Sequence, residues 1–582
     1  MERLHRFVLH RWVQISLHLL VIVALIGALF ATHIADGYFN RGVESGKAAQ
    51  PIPYTDVNPL AVNTFLDQEA DPANVQRTLE MIKAGGYGYI RQMFPWYEIE
   101  PERGSFYDDK NQVDAWAKFD RIVNIADSLG IEIIARLDKP PAWARVNQPN
   151  VAQFPDGPPD NNADYANYVA AVVARYKGKI HYVQIWNEPN LQGEWGGQPI
   201  DPAKFTVLLK AAYTAAKAAD PSIVVLMPGL APTDQTGPTN LSDLLFLQGM
   251  YDAGAKDSFD VASVMVYGYG YTPYDRRVEF ARDNFSRPIQ TREIMVKNGD
   301  AGKPVWASEY GWVSLPRDWT GDASPWGNPV SLEKQAKYLY QGYLRAQQEW
   351  PWMGVMAIWN FRTVQPPTDP NQAGNPTRGF SIVNYDFSPT PAYTLLKQAA
   401  PRLDRAYTGA YAAASPMIEQ SGGWALSGSG AGATLMPQQD GAQATINFSG
   451  TRLDLELSGG SDGLRVAIDG GKARTFASGS GETTRVTVAN GLSDGPHQAV
   501  ITSTAAGAQS TSLTGFVVVR RTINDWIYPW IYTVLALLLL LNLASLAWAI
   551  LRVHKRVASL PTIDHVFSAA DLRAARKPTQ HR

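Results

Sequence analysis

Two glutamates at the ends of short apolar runs form the pair with the clearest chemistry in this sequence. Glu188 lies in IWNEPN (185–190), and Glu309 lies 121 positions later in VWASEYGW (305–312). Cleavage of a glycosidic bond needs one carboxylic acid that protonates the leaving oxygen and one carboxylate that faces the anomeric carbon. When the two groups are about 5–5.5 Å apart, the carboxylate attacks directly and the anomeric configuration is retained. The pair therefore indicates double-displacement cleavage of an O-glycosidic bond.

The segments around this pair predict a (β/α)8 barrel, an α/β fold, over residues 57–402. Eight short apolar runs, typical of strands buried on both faces, alternate with amphipathic stretches such as 72–84 and 331–350. The predicted strands are 61–66, 88–94, 131–137, 180–186, 223–228, 261–267, 304–308 and 354–359. Active sites of this fold lie at the carboxyl ends of the strands. Glu188 follows the fourth strand and Glu309 the seventh, so we expect the two to face each other across the barrel mouth.

Several short motifs stand at the ends of these predicted strands. They are Tyr89-Ile90-Arg91, Phe94-Pro95-Trp96 and IEPERG (99–104) at the second strand, Trp186-Asn187-Glu188-Pro189 at the fourth, Ser308-Glu309-Tyr310-Gly311-Trp312 at the seventh and Ile358-Trp359-Asn360 at the eighth. On these motifs, residues 57–400 resemble the retaining glycoside hydrolases of the (β/α)8 clan A superfamily. The resemblance is to the branch around family 39 and its family 5, cellulase-type neighbours.

The resemblance implies a role for each glutamate and for two neighbours. Glu188 would be the acid/base and Glu309 the nucleophile, with Arg91 and Tyr267 orienting Glu309. A guanidinium and a phenol hydroxyl beside a carboxylate favour its ionised form, which a nucleophile requires. Both neighbours also have plainer interpretations, Arg91 as a structural ion pair at a strand end and Tyr267 as an ordinary barrel tyrosine.

Two substrate contacts are also implied by the resemblance. Asn187 would hold the sugar 2-hydroxyl, and Trp359 would form the floor of the −1 subsite. The sequence departs from family 5 because it lacks histidine near these strands, apart from His181 at the start of the fourth. This departure favours the family-39-like branch.

Five tryptophans and one aspartate in segments that follow strands are further candidates for substrate binding. A tryptophan suits the apolar face of a sugar, although most tryptophans pack in the core or at its rim. Asp138, directly after the third strand, would either bind a sugar hydroxyl or pair with Lys139. The tryptophans are Trp96, Trp143, Trp195, Trp312 and Trp326.

Two apolar stretches, 13–33 and 526–551, are each long enough to cross about 30 Å of hydrocarbon. The first has the alternative interpretation of a cleaved signal peptide, but its length and the lack of a small-x-small site favour an uncleaved transmembrane helix. Basic residues in the outer segments 1–12 and 552–582 predict that both termini are cytoplasmic. The polar tether 34–56 and the barrel would then lie outside the cell membrane.

Residues 403–522 differ in character and predict an all-β sandwich. Gly, Ser, Thr and Ala become frequent, and short alternating runs are separated by Gly-rich turns. The segment resembles jelly-roll modules of the galactose-binding-like type, which suggests either sugar binding or a rigid spacer. The predicted strands are 444–448, 452–457, 464–468, 484–488 and 498–502.

Composition excludes several other classes of function. The net charge of −2 argues against a nucleic acid partner, and the absence of cysteine excludes disulfides, thiolate catalysis and cysteine metal sites. We expect neither cofactor nor metal, since the carboxylate mechanism needs none. The leading hypothesis is a membrane-anchored retaining glycoside hydrolase acting on an extracellular polysaccharide or glycoconjugate. A transglycosylase and a non-catalytic glycan-binding scaffold remain as alternatives, and the intact pair Glu188 and Glu309 argues against the scaffold.

Overall fold

The chain folds into two compact units, which we describe separately. The computed structural model describes residues 2–46, 50–148, 151–370, 373–478, 483–506 and 510–558. The first unit comprises Met1–Arg41 and Thr522–Arg582, and the second comprises Gly42–Arg521.

A closed parallel barrel forms the larger part of the second unit, as the sequence predicts. Eight strands are hydrogen-bonded in the order β7-β6-β5-β2-β1-β10-β9-β8, and isolated parallel bridges at Leu226–Val261 and Leu230–Val264 connect its two ends. Almost every residue of these strands is buried, since helices cover the outside and side chains fill the inside. The strands are β1 Leu60–Thr64, β2 Tyr89–Pro95, β5 Glu132–Asp138, β6 Tyr182–Ile185, β7 Val224–Leu226, β8 Ala262–Tyr267, β9 Val305–Gly311 and β10 Met353–Ile358.

Helices connect successive barrel strands, and several begin at side-chain caps. Asp71, for example, accepts a hydrogen bond from Ala73 N, and a proline occupies the first turn. A short hairpin of β3 Tyr107–Asp108 and β4 Val113–Asp114 precedes α4. The helices are α2 Pro72–Ala84, α3 Trp96–Ile99, α4 Ala117–Ser128, α5 Asn162–Arg175, α6 Pro202–Ala219, α7 Asp243–Asp252, α8 Pro288–Lys297, α9 Leu332–Glu349 and α10 Pro391–Leu403.

An antiparallel β-sandwich follows the barrel, and its strands are longer than the sequence predicts. The expected pairs 444–448 with 452–457 and 484–488 with 498–502 are two continuous strands, β15 and β18. Register shifts near Gly450 let β15 bend where a turn was expected. The strands are β11 Gly409–Ala412, β12 Ile418–Gln420, β13 Trp424–Ser427, β14 Thr434–Pro437, β15 Gln443–Ser458, β16 Leu464–Ile468, β17 Arg474–Phe476, β18 Thr484–Ser503 and β19 Ser512–Val519.

The two ends of the second unit meet beside the junction of barrel and sandwich. Thr408 Oγ1 donates to Gln348 O at 3.0 Å, which connects the sandwich side to α9. Arg520 N donates to Ser45 O at 3.1 Å, so residues near the beginning and near the end of the unit lie side by side.

The first unit contains two long helices, α1 Glu2–Asn40 and α11 Asn524–Ala558. Both contain apolar segments long enough to cross a membrane, with mean hydropathies of 2.4 and 2.5. Helix α1 continues to Asn40, so the first residues of the expected polar tether are helical. The distal part of the predicted basic tail, 559–582, lies outside the described residues.

Candidate active site

Glu309 is held at the carboxyl end of β9 by one guanidinium and one phenol. Arg91 Nη1 lies 3.0 Å from Glu309 Oε1, and the two side chains are only 2% and 7% exposed. Tyr267, the last residue of β8, donates its hydroxyl to Glu309 Oε2. Burial raises the pKa of Tyr267 well above its usual value, and the negative charge of Glu309 raises it further. Tyr267 therefore keeps its proton and is the hydrogen-bond donor, so each carboxylate oxygen of Glu309 accepts from one buried donor.

Arg91 uses its remaining donors to bind other strands of the barrel. Its Nη1 also donates to Asn63 Oδ1, its Nε to Gln184 Oε1 and its Nη2 to Asn187 Oδ1, each at 2.8 Å. All three acceptors are buried. Four of its five N–H donors are thus engaged, and a buried cation normally needs partners of this kind. The arginine consequently fixes the geometry between the ends of β1, β6 and β9.

Glu188 follows β6 and lies in a different electrostatic environment from Glu309. Its backbone has a φ of 42°, and its N–H donates to Gly229 O at 3.0 Å. Withdrawal from water and, to a lesser extent, the negative charges of Glu309 and Glu194 together raise the pKa of Glu188 to about 8. Such a carboxyl retains its proton at neutral pH, which a general acid requires.

Asn187 lies between Arg91 and Glu188. Its Oδ1 accepts from Arg91, which orients the amide so that Nδ2 is the donor side, 3.4 Å from Glu188 Oε2. An amide fixed in this way can donate to a sugar hydroxyl next to the reacting carbon. The structure thus brings together all five of the expected catalytic and supporting residues, and their roles remain predictions.

Asp138 does not pair with Lys139 as one interpretation expected. Instead its Oδ2 accepts from Arg136 Nε at 2.6 Å, while Lys139 pairs with Asp156. Asp138 Oδ1 is buried without a hydrogen-bond partner among the described residues. Asp138 therefore belongs to a buried ion pair near the site, and binding to a sugar hydroxyl stays a prediction.

Three of the candidate tryptophans lie in the core, where they cannot reach a substrate in this structure. Trp96, Trp195 and Trp312 are 0%, 1% and 1% exposed. Trp96 stacks on a tyrosine ring of α5 and donates to Glu100 Oε2 at 2.7 Å. The expectation that these three bind sugar is corrected, because rings on α5, α6 and α9 pack against Trp96, Trp195 and Trp312 and the three side chains are buried.

Trp143, Trp326 and Trp359 remain partly exposed. Trp359 directly follows β10, and its ring meets that of Phe65 edge-on at 5.2 Å. Trp326 lies 5.9 Å from the ring of Tyr267, ring centre to ring centre. Trp143 donates to Glu100 O at 3.0 Å, with Arg103 over its ring. Trp359 is the best placed of the three, because it neighbours the strand that carries Glu309.

The sequence reasoning missed four polar residues that support the site. Asn63 and Gln184 are buried inside β1 and β6, and Arg136 lies inside β5. Glu194 follows β6, and its pKa is raised by burial. A polar residue within an apolar strand was the available signal, since its burial needs a partner.

His497 lies between a serine and an aspartate on the sandwich, an arrangement that resembles a hydrolytic triad. Its Nδ1 is 2.7 Å from Asp469 Oδ2, and its Nε2 is 2.9 Å from Ser493 O but 3.5 Å from Ser493 Oγ. The oxygen nearest to Nε2 is the Ser493 carbonyl and not the Ser493 hydroxyl, so the contacts do not form a Ser-His-Asp triad. No cluster of three metal-ligating side chains occurs among the described residues.

Family models match both domains of the second unit. Residues 51–337 match Cellulase (glycosyl hydrolase family 5), and residues 432–523 match Carbohydrate esterase 2 N-terminal. The barrel match includes both Glu188 and Glu309. No curated protein sequence matches the chain significantly.

Several solved structures are similar to this chain at low sequence identity. A family 39 glycoside hydrolase from Bacteroides cellulosilyticus WH2 is 20% identical, covering 78% of this chain and 83% of that chain with a TM-score of 0.46. The family 39 enzyme from Xanthomonas axonopodis pv. citri is 15% identical over 78% and 95%, with a TM-score of 0.42. The endo-β-1,4-mannanase from Thermotoga petrophila is 13% identical over 76% and 99%, with a TM-score of 0.41.

Proposed function

We propose that this chain, whose barrel is a glycoside hydrolase domain of the clan A type, is a membrane-anchored retaining enzyme that cleaves an extracellular polysaccharide. Glu309 attacks the anomeric carbon, and Glu188 protonates the leaving oxygen. Glu188 then acts as a base and removes a proton from the water that hydrolyses the glycosyl-enzyme intermediate.

The observation that carries this proposal is the unequal environment of the two carboxyls. Glu309 accepts from Arg91 and Tyr267, both of which stabilise negative charge. The pKa of Glu188 is instead raised to about 8 by its withdrawal from water. A pair of carboxyls whose environments separate their protonation states is what acid and nucleophile roles require.

Two observations support the proposed membrane anchoring: the two terminal helices and the charge at their outer ends. Both helices contain an apolar segment of sufficient length. Arg6 and Arg11 precede the first apolar core, and Lys555 and Arg556 follow the second. By the positive-inside rule, this pattern supports cytoplasmic termini and an extracytoplasmic catalytic unit.

Incubation of the purified chain with a panel of polysaccharides tests the proposal, with reducing ends and product sizes as the readouts. New reducing ends that accumulate while products shorten are the expected result. Products longer than the substrate would instead identify a transglycosylase. Binding without any new reducing ends would favour the scaffold and contradict the proposal.

Nuclear magnetic resonance of the first product tests the stereochemistry. We expect the newly formed anomeric centre to have the configuration of the bond that was cleaved. An inverted first product would exclude Glu309 as a covalent nucleophile. Where Glu188 or Glu309 is replaced in this test, Glu80→Gln is the matched control, because it removes the carboxylate of an exposed glutamate on α2.

A further inference from the structure

The alternation of side chains along β9 is interrupted directly before Glu309. Successive residues of a barrel strand face the helices and the interior in turn. Val305 and Ala307 pack in the core that also contains helix residues. Trp306 between them packs with Ile134 of β5, on the far side of the barrel, which is possible only in the interior. Continued alternation would therefore place Glu309 on the helix side.

Ser308 is an extra residue in β9 and forms a β-bulge. Val264 of β8 lies opposite Ala307. The next residue of β8, Met265, lies opposite Glu309. The pairing of β9 with β10 is shifted over the same stretch. Two residues of β9 thus occupy the space of one, and this reverses the face on which the following side chains lie.

The reversal places the carboxylate of Glu309 inside the barrel. Tyr310, the next residue, faces the helices and donates its hydroxyl to Leu339 O of α9 at 2.6 Å. Glu309 itself faces the interior, where it accepts from Arg91 and Tyr267. Without the extra residue, its carboxylate would point towards the helices and could not reach a substrate at the barrel mouth.

A bulge disrupts the hydrogen-bond ladder, and Asn63 of β1 donates to the main chain of this one. Its Nδ2 lies 3.0 Å from Ser308 O, with longer contacts of 3.3 and 3.4 Å to Ala357 O and Ile358 O. Asn63 is only 2% exposed. On the other side of the bulge, Ser308 Oγ donates to Val264 O at 3.2 Å. The bulge is thus held from both neighbouring sides.

The other end of the same amide holds the guanidinium that binds Glu309. Asn63 Oδ1 accepts from Arg91 Nη1 at 2.8 Å, and this nitrogen lies 3.0 Å from Glu309 Oε1. The contacts fix the orientation of the amide, since Oδ1 faces a cation and Nδ2 faces carbonyl oxygens. Asn63 therefore contacts both the main chain before Glu309 and the side chain that binds its carboxylate.

We propose that Asn63 is a positioning residue for Glu309, which acts by holding the bulge at Ser308 and the guanidinium of Arg91. The inference rests on the proposed function, because a nucleophile must be directed at the anomeric carbon. Attack requires the reacting atoms to be about 3–3.5 Å apart and aligned, so a displaced carboxylate reacts more slowly. Loss of Asn63 should thus slow the step in which Glu309 forms its bond to the sugar.

The rate of that step can be measured in the full chain in detergent, with Glu188→Gln as the background. The probes are the 2,4-dinitrophenyl β-glycosides of glucose, galactose, mannose and xylose. As Glu309 bonds to the anomeric carbon, the bond to dinitrophenolate breaks and the leaving group departs with the electron pair, without an acid. Because the background variant lacks the base, the intermediate accumulates and dinitrophenolate appears as a burst. The burst amplitude counts active sites, and its rate constant reports the attack.

Two changes at Asn63 separate its two contacts. Asn63→Ala removes both, and the burst rate constant should fall about 10- to 100-fold, the range for hydrogen bonds to charged groups. Asn63→Asp keeps an acceptor for Arg91 but puts a carboxylate oxygen against Ser308 O, so it should also slow the burst.

Asn284→Ala is the matched control. Asn284 is 2% exposed, lies between β8 and α8, and donates to Arg277 O at 3.0 Å. This change should lower thermal stability or the burst amplitude and leave the rate constant unchanged. A merely structural role for Asn63 would give the same pattern, so the rate constant distinguishes positioning from folding.

Crystal structures of the Asn63→Ala and Asn284→Ala chains give a readout that does not need activity. In Asn63→Ala we expect a shifted Ser308 carbonyl and loss of the contact between Arg91 Nη1 and Glu309 Oε1. Asn284→Ala should retain both.

An unchanged burst rate constant in Asn63→Ala, or an unchanged bulge and carboxylate in its structure, would overturn the inference. An unchanged rate constant in Asn63→Asp would restrict Asn63 to Arg91 and overturn its role at the bulge. Absence of a burst with every probe would instead count against the proposed function. The two structures would then decide the role of Asn63 by themselves.

Discussion

Arg91 Nη1 lies 3.0 Å from Glu309 Oε1, with the guanidinium and the carboxylate both withdrawn from water. The same nitrogen also donates to Asn63, and the other guanidinium nitrogens donate to Gln184 and Asn187. One side chain thus positions both Glu309 and the amide of Asn187, which lies beside Glu188. The ion pair that the plainer interpretation of Arg91 expected is therefore the same contact through which Arg91 would orient Glu309.

The first prediction assigns the two glutamates by chemical rescue. Glu309→Ala should lower activity by on the order of 10⁴-fold, and azide should restore turnover with inverted product. Glu188→Ala should still form the intermediate from substrates with good leaving groups, and azide should then give retained product. The measurement is the anomeric configuration of each azide product.

Two outcomes would contradict this assignment of the glutamates. The opposite stereochemistry in the two variants would exchange the roles of Glu188 and Glu309. Wild-type activity in either variant would remove that residue from the mechanism.

The second prediction concerns pH. Glu188 must be protonated to act as the acid, and its pKa is raised to about 8. Activity should therefore be present below this pH and fall as the pH rises through about 8, seen as the alkaline limb of kcat/KM. Glu194→Gln removes one of the negative charges that raise this pKa, so the limb should move to lower pH. Glu80→Gln should not change the pH at which kcat/KM falls. An unchanged pH in Glu194→Gln would contradict an effect of the Glu194 charge on the pKa of Glu188.

The third prediction tests the phenol on the nucleophile. Tyr267→Phe removes the donor to Glu309 Oε2, and kcat/KM should fall about 10- to 100-fold, the range for a hydrogen bond to a charged group. Tyr343→Phe is the matched control, because that buried hydroxyl donates to Met356 O at 2.7 Å. It should lower the free energy of unfolding by about 1 kcal/mol with little effect on kcat/KM. Equal kinetic losses in the two variants would assign Tyr267 a structural role only.

The fourth prediction concerns topology. A reporter enzyme that is active only in the cytoplasm should be inactive when inserted near Gly430, in the sandwich, and active when fused to either terminus. Activity near Gly430 would show that the catalytic unit is cytoplasmic.

The fifth prediction concerns independent folding. A fragment of residues 42–521 should be soluble and active without detergent, because it corresponds to one compact unit with its own cores. The measurement is the sedimentation and hydrolytic activity of the fragment beside the full chain. A fragment recovered only in detergent would indicate that the unit depends on the terminal helices.

The barrel could be predicted because each of its strands is buried on both faces and reads as an apolar run. The partners of Asn63 and Gln184 could not, because the register of neighbouring strands decides which polar groups meet inside the barrel. Arg91 was identified only through the resemblance. Its four acceptors belong to three segments that are far apart in sequence.

Local patterns were misleading where tertiary packing decides the outcome. The segments between the predicted strands 444–448 and 452–457 and between 484–488 and 498–502 were expected to be turns. They lie inside β15 and β18, where irregularities in pairing replace a chain reversal. Trp195 and Trp312 follow strands on the catalytic face, but rings on α6 and α9 pack against them and they are buried. Side-chain type and position after a strand do not determine whether the side chain stays exposed.

The contact between Ser45 and Arg520 has a mechanical consequence. Because the chain enters and leaves the second unit at one point, tension applied through both terminal helices would load this contact first, with the barrel outside the line of force. The same proximity permits a circular permutation in which residues 42 and 521 are joined by a short linker and new ends are opened in a surface loop. Such a permuted protein would retain the eight strands and both glutamates in their present arrangement.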